Sequence, residues 1–422
     1  MSHLCQSLSI ERLGSRGEGI ARGENGLIFI PYALPGEKVI AEIEGSRGSL
    51  IEVIEPSRAR ISPSCAYFFQ CGGCAVQMLK ASSYANWKRD LVIKALQHSG
   101  LEPDVGELVD AHGEGRRRAT FHARYPQGRA QLGYTRMRSH AIVEIESCPV
   151  LAPAMGIALT AARALAQALV SSGKPLDILV TATQAGLDID LKGHGPLSGL
   201  QVSELVRIAE AHDLARLSHH GTVLITRRPP LLVMGKALLV PPPGAFLQAT
   251  EKGEAELAAG VLAWLAGAGR VADLFSGVGT FALRLAELAR VAAFDLDEAA
   301  LQALAKAAKG PGFKDVRVAR RDLFKSPLST SELNSFEAVV FDPPRTGALA
   351  QARALAEAQV PMVVAVSCNA ESFARDAAIL CAGGYELLGL TPIDQFRHTP
   401  HVEILAGFRR TIKSGRKRRL LG

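Results

Sequence analysis

The sequence predicts a doubly wound α/β domain in its C-terminal part, preceded by a small all-β barrel and a β-rich middle domain. Three observations predict it. From residue 245 onward, short apolar runs at 271–275, 291–294, 316–319, 338–341 and 362–366 alternate with helical patterns, as strands joined by crossover helices do. Before that point the apolar runs are short, β-rich and bounded by Gly or Pro. Between the two regimes lies 240–244 with three prolines, which neither a helix interior nor a central strand tolerates.

Taken in order, residues 1–60 carry β-rich runs at 26–31, 38–43 and 49–54, a spacing that fits a compact barrel of OB-like size. Residues 61–243 form the expected central domain. Cysteines cluster near its start, a helix is expected over 77–98, and another near 155–171. Part of 76–112 is expected to pack on the catalytic domain. Residues 244–422 form that domain. No internal repeat is visible.

Composition narrows the function. The 422 residues are 48% hydrophobic, which excludes a disordered chain, and the formal net charge is +7. That balance favours an anionic partner, nucleic acid before membrane. No apolar run is long enough to span a bilayer, and the N-terminus MSHLCQSLSIERLG has no basic start or long apolar stretch. The expectation is a cytoplasmic protein with reduced thiols. Seven cysteines, an odd number and tightly clustered, argue for metal or catalysis rather than a disulfide framework.

The segment VADLFSGVGTF, 271–281, reads as a strand ending in Asp273, a turn with Gly277 and Gly279, then a helix start. Glycines there let the backbone approach a ligand at the helix N-terminus. Asp295 follows the second strand, where a carboxylate can bind ribose hydroxyls. Asp322 follows the third and Asp342, in FDPPR, the fourth. Any one acid could be a cap or turn residue; four at successive strand ends define one crevice. The turn lacks the third glycine of a dinucleotide fingerprint. S-adenosylmethionine, which carries no phosphate, therefore suits this acid-rich crevice better than NAD(P).

Cys368, in VVAVSCNAESF, follows an apolar strand and is flanked by Ser367 and Asn369. Its thiol is expected at the carboxyl edge of the sheet, where ligands bind; Cys381 has the setting of a core residue. Glu403, in HTPHVE, enters an apolar strand, where a carboxylate needs a partner or a task. One chemistry uses both. Thiolate addition to carbon 6 of uracil makes carbon 5 nucleophilic, and a base must later remove the carbon-5 proton.

DLFSGVGTF, FDPPRTG, SCN and HTPHVE occur in one order, and in that order the chain resembles the RNA 5-methyluridine (uracil-C5) methyltransferase family over nearly its whole length. GAFLQAT resembles that family's Phe-x-Gln segment. ERLGSRGEGIARGENGLIFIPYALPGEKV resembles its TRAM domain, an RNA-binding barrel. The resemblance implies a Rossmann-like S-adenosylmethionine-dependent methyltransferase domain, with Cys368 as nucleophile and Glu403 as carbon-5 base. Gln248, Asp273, Gly277, Gly279, Asp295 and Asp322 would hold the cofactor, with Asp342 contacting or placing the uracil beside it. Three positions depart from the family pattern: Ala370 and Arg397, where Pro is frequent, and Thr250, where Asn is common.

Cys65, Cys71, Cys74 and Cys148 could together hold zinc or an iron–sulfur cluster. The resemblance implies a [4Fe-4S] cluster, as in the ribosomal-RNA branch of the family. Segment 116–140 carries seven arginines and no acid, with Phe121, Tyr125 and Tyr134 interleaved. It is read as a backbone-binding, base-stacking surface, with the basic tail 409–419 as a further contact. The substrate expected is structured RNA acted on by a monomer, 23S ribosomal RNA before transfer RNA. An amino-methyltransferase would want an aromatic where Arg345 stands, and a 5-methylcytidine enzyme a second cysteine near Pro343. A non-enzymatic RNA chaperone would use none of these residues.

Overall fold

Apolar alternation along the first five strands closes them on one another. The computed structural model describes residues 4–102 and 104–411, and here the strands Leu4–Leu13, Gly19–Gly23, Gly26–Ile30, Arg47–Glu55 and Lys38–Glu44 form a closed barrel in that spatial order. Leu8, Ile10, Ala21, Ile28, Ile30, Val39 and Ala41 fill it. Closure removes the unpaired strand edges that a small open sheet would expose. The chain divides into two units. The first comprises Met1–Leu91, Leu108–Glu256 and Ile393–Val402; the second comprises Val92–Glu107, Leu257–Pro392 and Glu403–Gly422.

Besides the barrel, the first unit holds a seven-stranded sheet. Its order is Thr222–Thr226, Arg216–His219, Gly186–Lys192, Leu176–Thr183, Arg118–Arg124, Gln131–Thr135, Ile142–Glu144. Only Gly186–Lys192 and Arg216–His219 run parallel. Helices Ala158–Ala168 and Gly199–Ala211 supply Leu159, Leu165, Leu205 and Ile208 to a core shared with Phe121, Ile178, Val180 and Ile189 on one sheet face. Ser198 starts the second of these helices, with Gln201, as a reciprocal capping box, which satisfies two otherwise orphaned backbone N–H groups.

This sheet corrects the reading of segment 116–140. Residues 118–124 are a strand, so alternate side chains face opposite ways. Phe121 is fully buried, and Tyr125 and Tyr134 pack against the same core. None of the three offers a free ring for base stacking. Arg117 is buried and its guanidinium donates to the buried carboxylate of Glu254. Arg129, Arg136 and Arg138 are the arginines of the segment that stand exposed. The basic tail lies outside the described residues from 412 on.

The second unit is the doubly wound sheet. Parallel strands Val316–Arg320, Arg290–Asp295, Arg270–Leu274, Ala338–Phe341 and Met362–Ser367 lie in that order, followed by Glu403–Arg410, antiparallel to its neighbour, and then Tyr385–Asp394. All five apolar runs of the sequence are strands here. Ala338–Phe341 is buried at every position, as a strand covered on both faces must be. The strand order reverses between Arg270–Leu274 and Ala338–Phe341, which opens a crevice at their carboxyl ends. Among the described residues no helix is long and apolar enough to cross a membrane.

Candidate active site

The loop after Arg270–Leu274 is shaped by backbone conformation. Phe275 has φ +62° and Gly277 φ +51°, a region that costs an ordinary side chain and suits glycine. A side chain at Gly279 would meet Leu304 at 1.9 Å, so that glycine lets the loop sit against the next helix. Asp295 holds the loop from the adjacent strand. Its carboxylate accepts from the Gly277 N–H at 2.8 Å and from its own turn at Asp297, also 2.8 Å. Asp273 lies beneath the loop, fully buried. Burial, with Asp342 and Asp295 nearby, pushes its carboxyl well above the usual carboxylate range.

Asp322 accepts from the N–H groups of Phe324 and Lys325 at 3.1 and 3.2 Å, so it closes the turn after the third parallel strand. Three apolar residues beside these acids escaped the sequence reading. Leu296 and Phe324 are 53% and 49% exposed, and the Phe275 and Phe324 rings lie 5.4 Å apart. Phe275 and Leu296 follow directly on a strand end and Phe324 lies in the turn that Asp322 closes, which is the signal that would have found them. Acids with exposed apolar neighbours suit a nucleoside, whose ribose wants acceptors and whose base wants a flat apolar wall. These residues fit S-adenosylmethionine.

Cys368 stands between strand Met362–Ser367 and helix Ala370–Ala382, whose first turn is capped by Asn369 through the Ser372 N–H at 2.9 Å. A helix N-terminus favours a thiolate. Here the opposing effects win. Burial, then the carboxylates of Glu403 and Asp342, push the thiol up to about 12, against a lowering by Arg345. Cys368, Glu403, Asp342 and the exposed Arg345 thus share one electrostatic neighbourhood. Arg345 is a further residue that the sequence reading had used only to discriminate rival motifs. Glu403 is itself buried.

The departures from the family pattern have local explanations. Ala370 is the first helical residue after Asn369, the position where Pro is most easily accommodated, so either residue serves. Thr250 is fully buried; its hydroxyl donates to the Ala111 carbonyl at 2.6 Å and accepts from the Gly253 N–H at 2.9 Å. Arg397 reaches Asp110 at 3.6 Å across exposed surface. Gln248, in the first unit, is buried, and its side-chain carbonyl accepts from Gln395 at 2.6 Å. Arg117 donates to its backbone carbonyl at 3.3 Å.

Cys65, Cys71, Cys74 and Cys148 come together. All four line a cavity of about 330 Å³ with Gln77, Arg116, Thr120 and Tyr134. Their thiols are free of disulfides. Burial, and for each the neighbouring sulfurs, raises Cys71, Cys148 and Cys74, the last to about 12. Among the described residues no three Cys, His, Asp or Glu are grouped to hold a metal ion.

Residues 6–49 match the model of the TRAM domain. An RNA methyltransferase of Brucella melitensis, described as uncharacterised, is 44% identical over 400 residues, covering 94% of this chain and 96% of that protein. The 23S rRNA (uracil(1939)-C(5))-methyltransferase RlmD of Chromohalobacter salexigens is 33% identical over 435 residues, covering 97% and 90%. The crystal structure of Pyrococcus abyssi tRNA (uracil-54, C5)-methyltransferase with S-adenosyl-L-homocysteine shares the fold. It superposes with a TM-score of 0.72 at 21% identity, covering 96% of this chain and 100% of that one. With relatives this similar across nearly its full length, the chain belongs to the RNA 5-methyluridine (uracil-C5) methyltransferase family and is an S-adenosylmethionine-dependent RNA methyltransferase.

Proposed function

We propose that this enzyme methylates carbon 5 of one uridine in 23S ribosomal RNA through a covalent bond between Cys368 and carbon 6. The observation that carries this reading is the shared neighbourhood of Cys368, Glu403 and Asp342 at the carboxyl end of the sheet. The ribosomal substrate is supported by the relative RlmD, similar over 97% of the chain. The reaction proceeds in the cytoplasm, where free thiols persist.

The raised thiol means that Cys368 rests protonated and becomes a nucleophile only as its proton leaves to solvent. Sulfur then adds to carbon 6, and the displaced π-electrons make an enolate across carbon 5, carbon 4 and its oxygen. When bound, S-adenosylmethionine supplies the electrophilic methyl group that carbon 5 takes. Glu403 removes the carbon-5 proton. The electron pair left behind restores the 5,6 double bond and expels the Cys368 thiolate. Asp342 places the uracil. Asp295 and Asp322 hold the cofactor beside Leu296 and Phe324, and Asp273 acts from beneath the loop that follows its strand. The target base must leave its stack to admit Cys368 to one face.

We propose that Cys65, Cys71, Cys74 and Cys148, which line one cavity, hold a [4Fe-4S] cluster, as the resemblance to the ribosomal-RNA branch of the family implies. Anaerobically purified protein is expected to carry about four irons per chain; one zinc and no iron contradicts this. The substrate is tested by nucleoside mass spectrometry of RNA from a deletion strain. Loss of one 5-methyluridine from large-subunit ribosomal RNA is expected. Loss from transfer RNA alone would move the substrate, and no loss from either would overturn the reading.

A further inference from the structure

The loop bearing Cys71 and Cys74 runs on into two backbone contacts that ligand spacing alone does not require. The N–H groups of Ala75 and Val76 both donate to the carbonyl of His398, at 2.7 and 3.3 Å. His398 has φ +64°, a conformation that a non-glycine residue keeps only where its surroundings impose it. Arg116, which lines the cysteine cavity, places its guanidinium 5.6 Å from the centre of the Phe396 ring, within cation–π range. The same short segment is gripped by helix Ala81–His98. Lys88, fully buried, donates to Asp394 at 2.8 Å and to the Phe396 and His401 carbonyls. The Tyr84 hydroxyl donates to Asp394 at 2.6 Å and accepts from the His398 N–H at 3.0 Å. One residue beyond this segment, along the chain, is Glu403.

We propose that the four-cysteine site is a positioning clamp for residues 394–402, with Arg116 as its side-chain link and the Ala75 and Val76 amides as its backbone link. The cysteine loop and helix Ala81–His98 together force the segment through the left-handed turn at His398, and so fix how the chain enters the strand that begins at Glu403. Loss of the group held by the cysteines frees the loop of Cys71 and Cys74, releases the His398 carbonyl and loosens the segment. The inference rests on the cysteines forming one site, and it needs neither the identity of the group held there nor the choice of RNA. It gives the cysteines a task in holding the segment that leads along the chain to Glu403, separable from RNA binding.

Hydrogen–deuterium exchange of the full-length protein, without RNA or cofactor, reads the clamp directly. The N–H groups of Phe396, His398, Thr399 and His401 are all hydrogen-bonded, so their peptides report opening. In Arg116→Ala, which keeps all four thiols and should keep its metal content, exchange over 395–401 should rise about tenfold while strand Gly26–Ile30 of the barrel is unchanged. Arg116→Lys, retaining a cation near the ring, should restore part of the protection. Cys74→Ser should loosen 395–401 further. Exchange over 395–401 equal to wild type in folded Arg116→Ala overturns the assignment, whatever Cys74→Ser does. A rise spread evenly over the barrel as well would also overturn it, because it would mean general destabilisation.

Discussion

The crevice of the second unit and the arginine-rich segment of the first looked equally rich in function as sequence, and they differ sharply as structure. In the crevice, Asp295, Asp322 and Cys368 stand at or just beyond strand ends and are half-buried. In segment 116–140, Arg117 and Phe121 are buried, and Arg116 turns to the cysteine cavity. A residue after a strand is placed by the strand's end alone. A residue within a strand is placed by register and by partners far along the chain. Four variants put that contrast to the test.

The largest effect belongs to the crevice. Cys368→Ala should lose methyl transfer by at least about a thousandfold while binding cofactor and RNA as before, because the bond to carbon 6 can no longer form. Next comes the buried ion pair. Arg117→Ala leaves Glu254 buried beside it without its cation, and should destabilise the first unit by about 3–5 kcal/mol, read by chemical denaturation. A loss under about 1 kcal/mol would return Arg117 to the RNA surface where the sequence had put it. Asp295→Ala should weaken S-adenosylmethionine binding by roughly 1.5–3 kcal/mol by calorimetry. It removes an acceptor and also frees the Gly277 N–H; unaltered affinity would mean that the crevice is not the cofactor site. The smallest effect is at the surface. Arg136→Ala with Arg138→Ala should leave stability unchanged and lower the salt slope of RNA binding by about 0.7–0.9 per lost phosphate contact. An unchanged slope removes that edge from the interface.

A pH effect sharpens the assignment of Cys368. Its thiol is raised by burial first and by the Glu403 carboxylate second. Glu403→Gln removes a negative charge, so the thiol should ionise more easily and react several-fold faster with iodoacetamide at a given pH. In both proteins the alkylation rate should climb with pH through the neutral range, because the thiolate is the minor form below the raised value. Equal rates for the two proteins would separate Glu403 from the thiol.

The doubly wound sheet was legible because its apolar runs are short and regularly spaced, and the central ones, Arg270–Leu274, Ala338–Phe341 and Met362–Ser367, are buried almost throughout, whereas the edge strand Val316–Arg320 is not. Cys368 was legible because polar Ser367 and Asn369 end an apolar run. The pairing of Phe275 with Phe324 was hidden: it joins two loops that only the strand order brings together. Arg117 was misread for a related cause. Its partner Glu254 is 137 residues away, and nothing local distinguishes it from Arg116 or Arg118. The turn at His398 was equally hidden, since its backbone partners, Ala75, Val76 and Tyr84, lie more than 300 residues away along the chain.

The central claim is that Cys368 opens the reaction and Glu403 closes it. Glu403→Gln enzyme, incubated with RNA and methyl-labelled cofactor, tests both roles on one denaturing gel. Addition and methyl transfer do not need the base, whereas release of the enzyme does. The account predicts a band shifted by the mass of the protein, carrying the labelled methyl group, and its absence when Cys368→Ala is added to the same chain. Free methylated RNA released by Glu403→Gln at the wild-type rate, or label on carbon 5 from the Cys368→Ala enzyme, would contradict it.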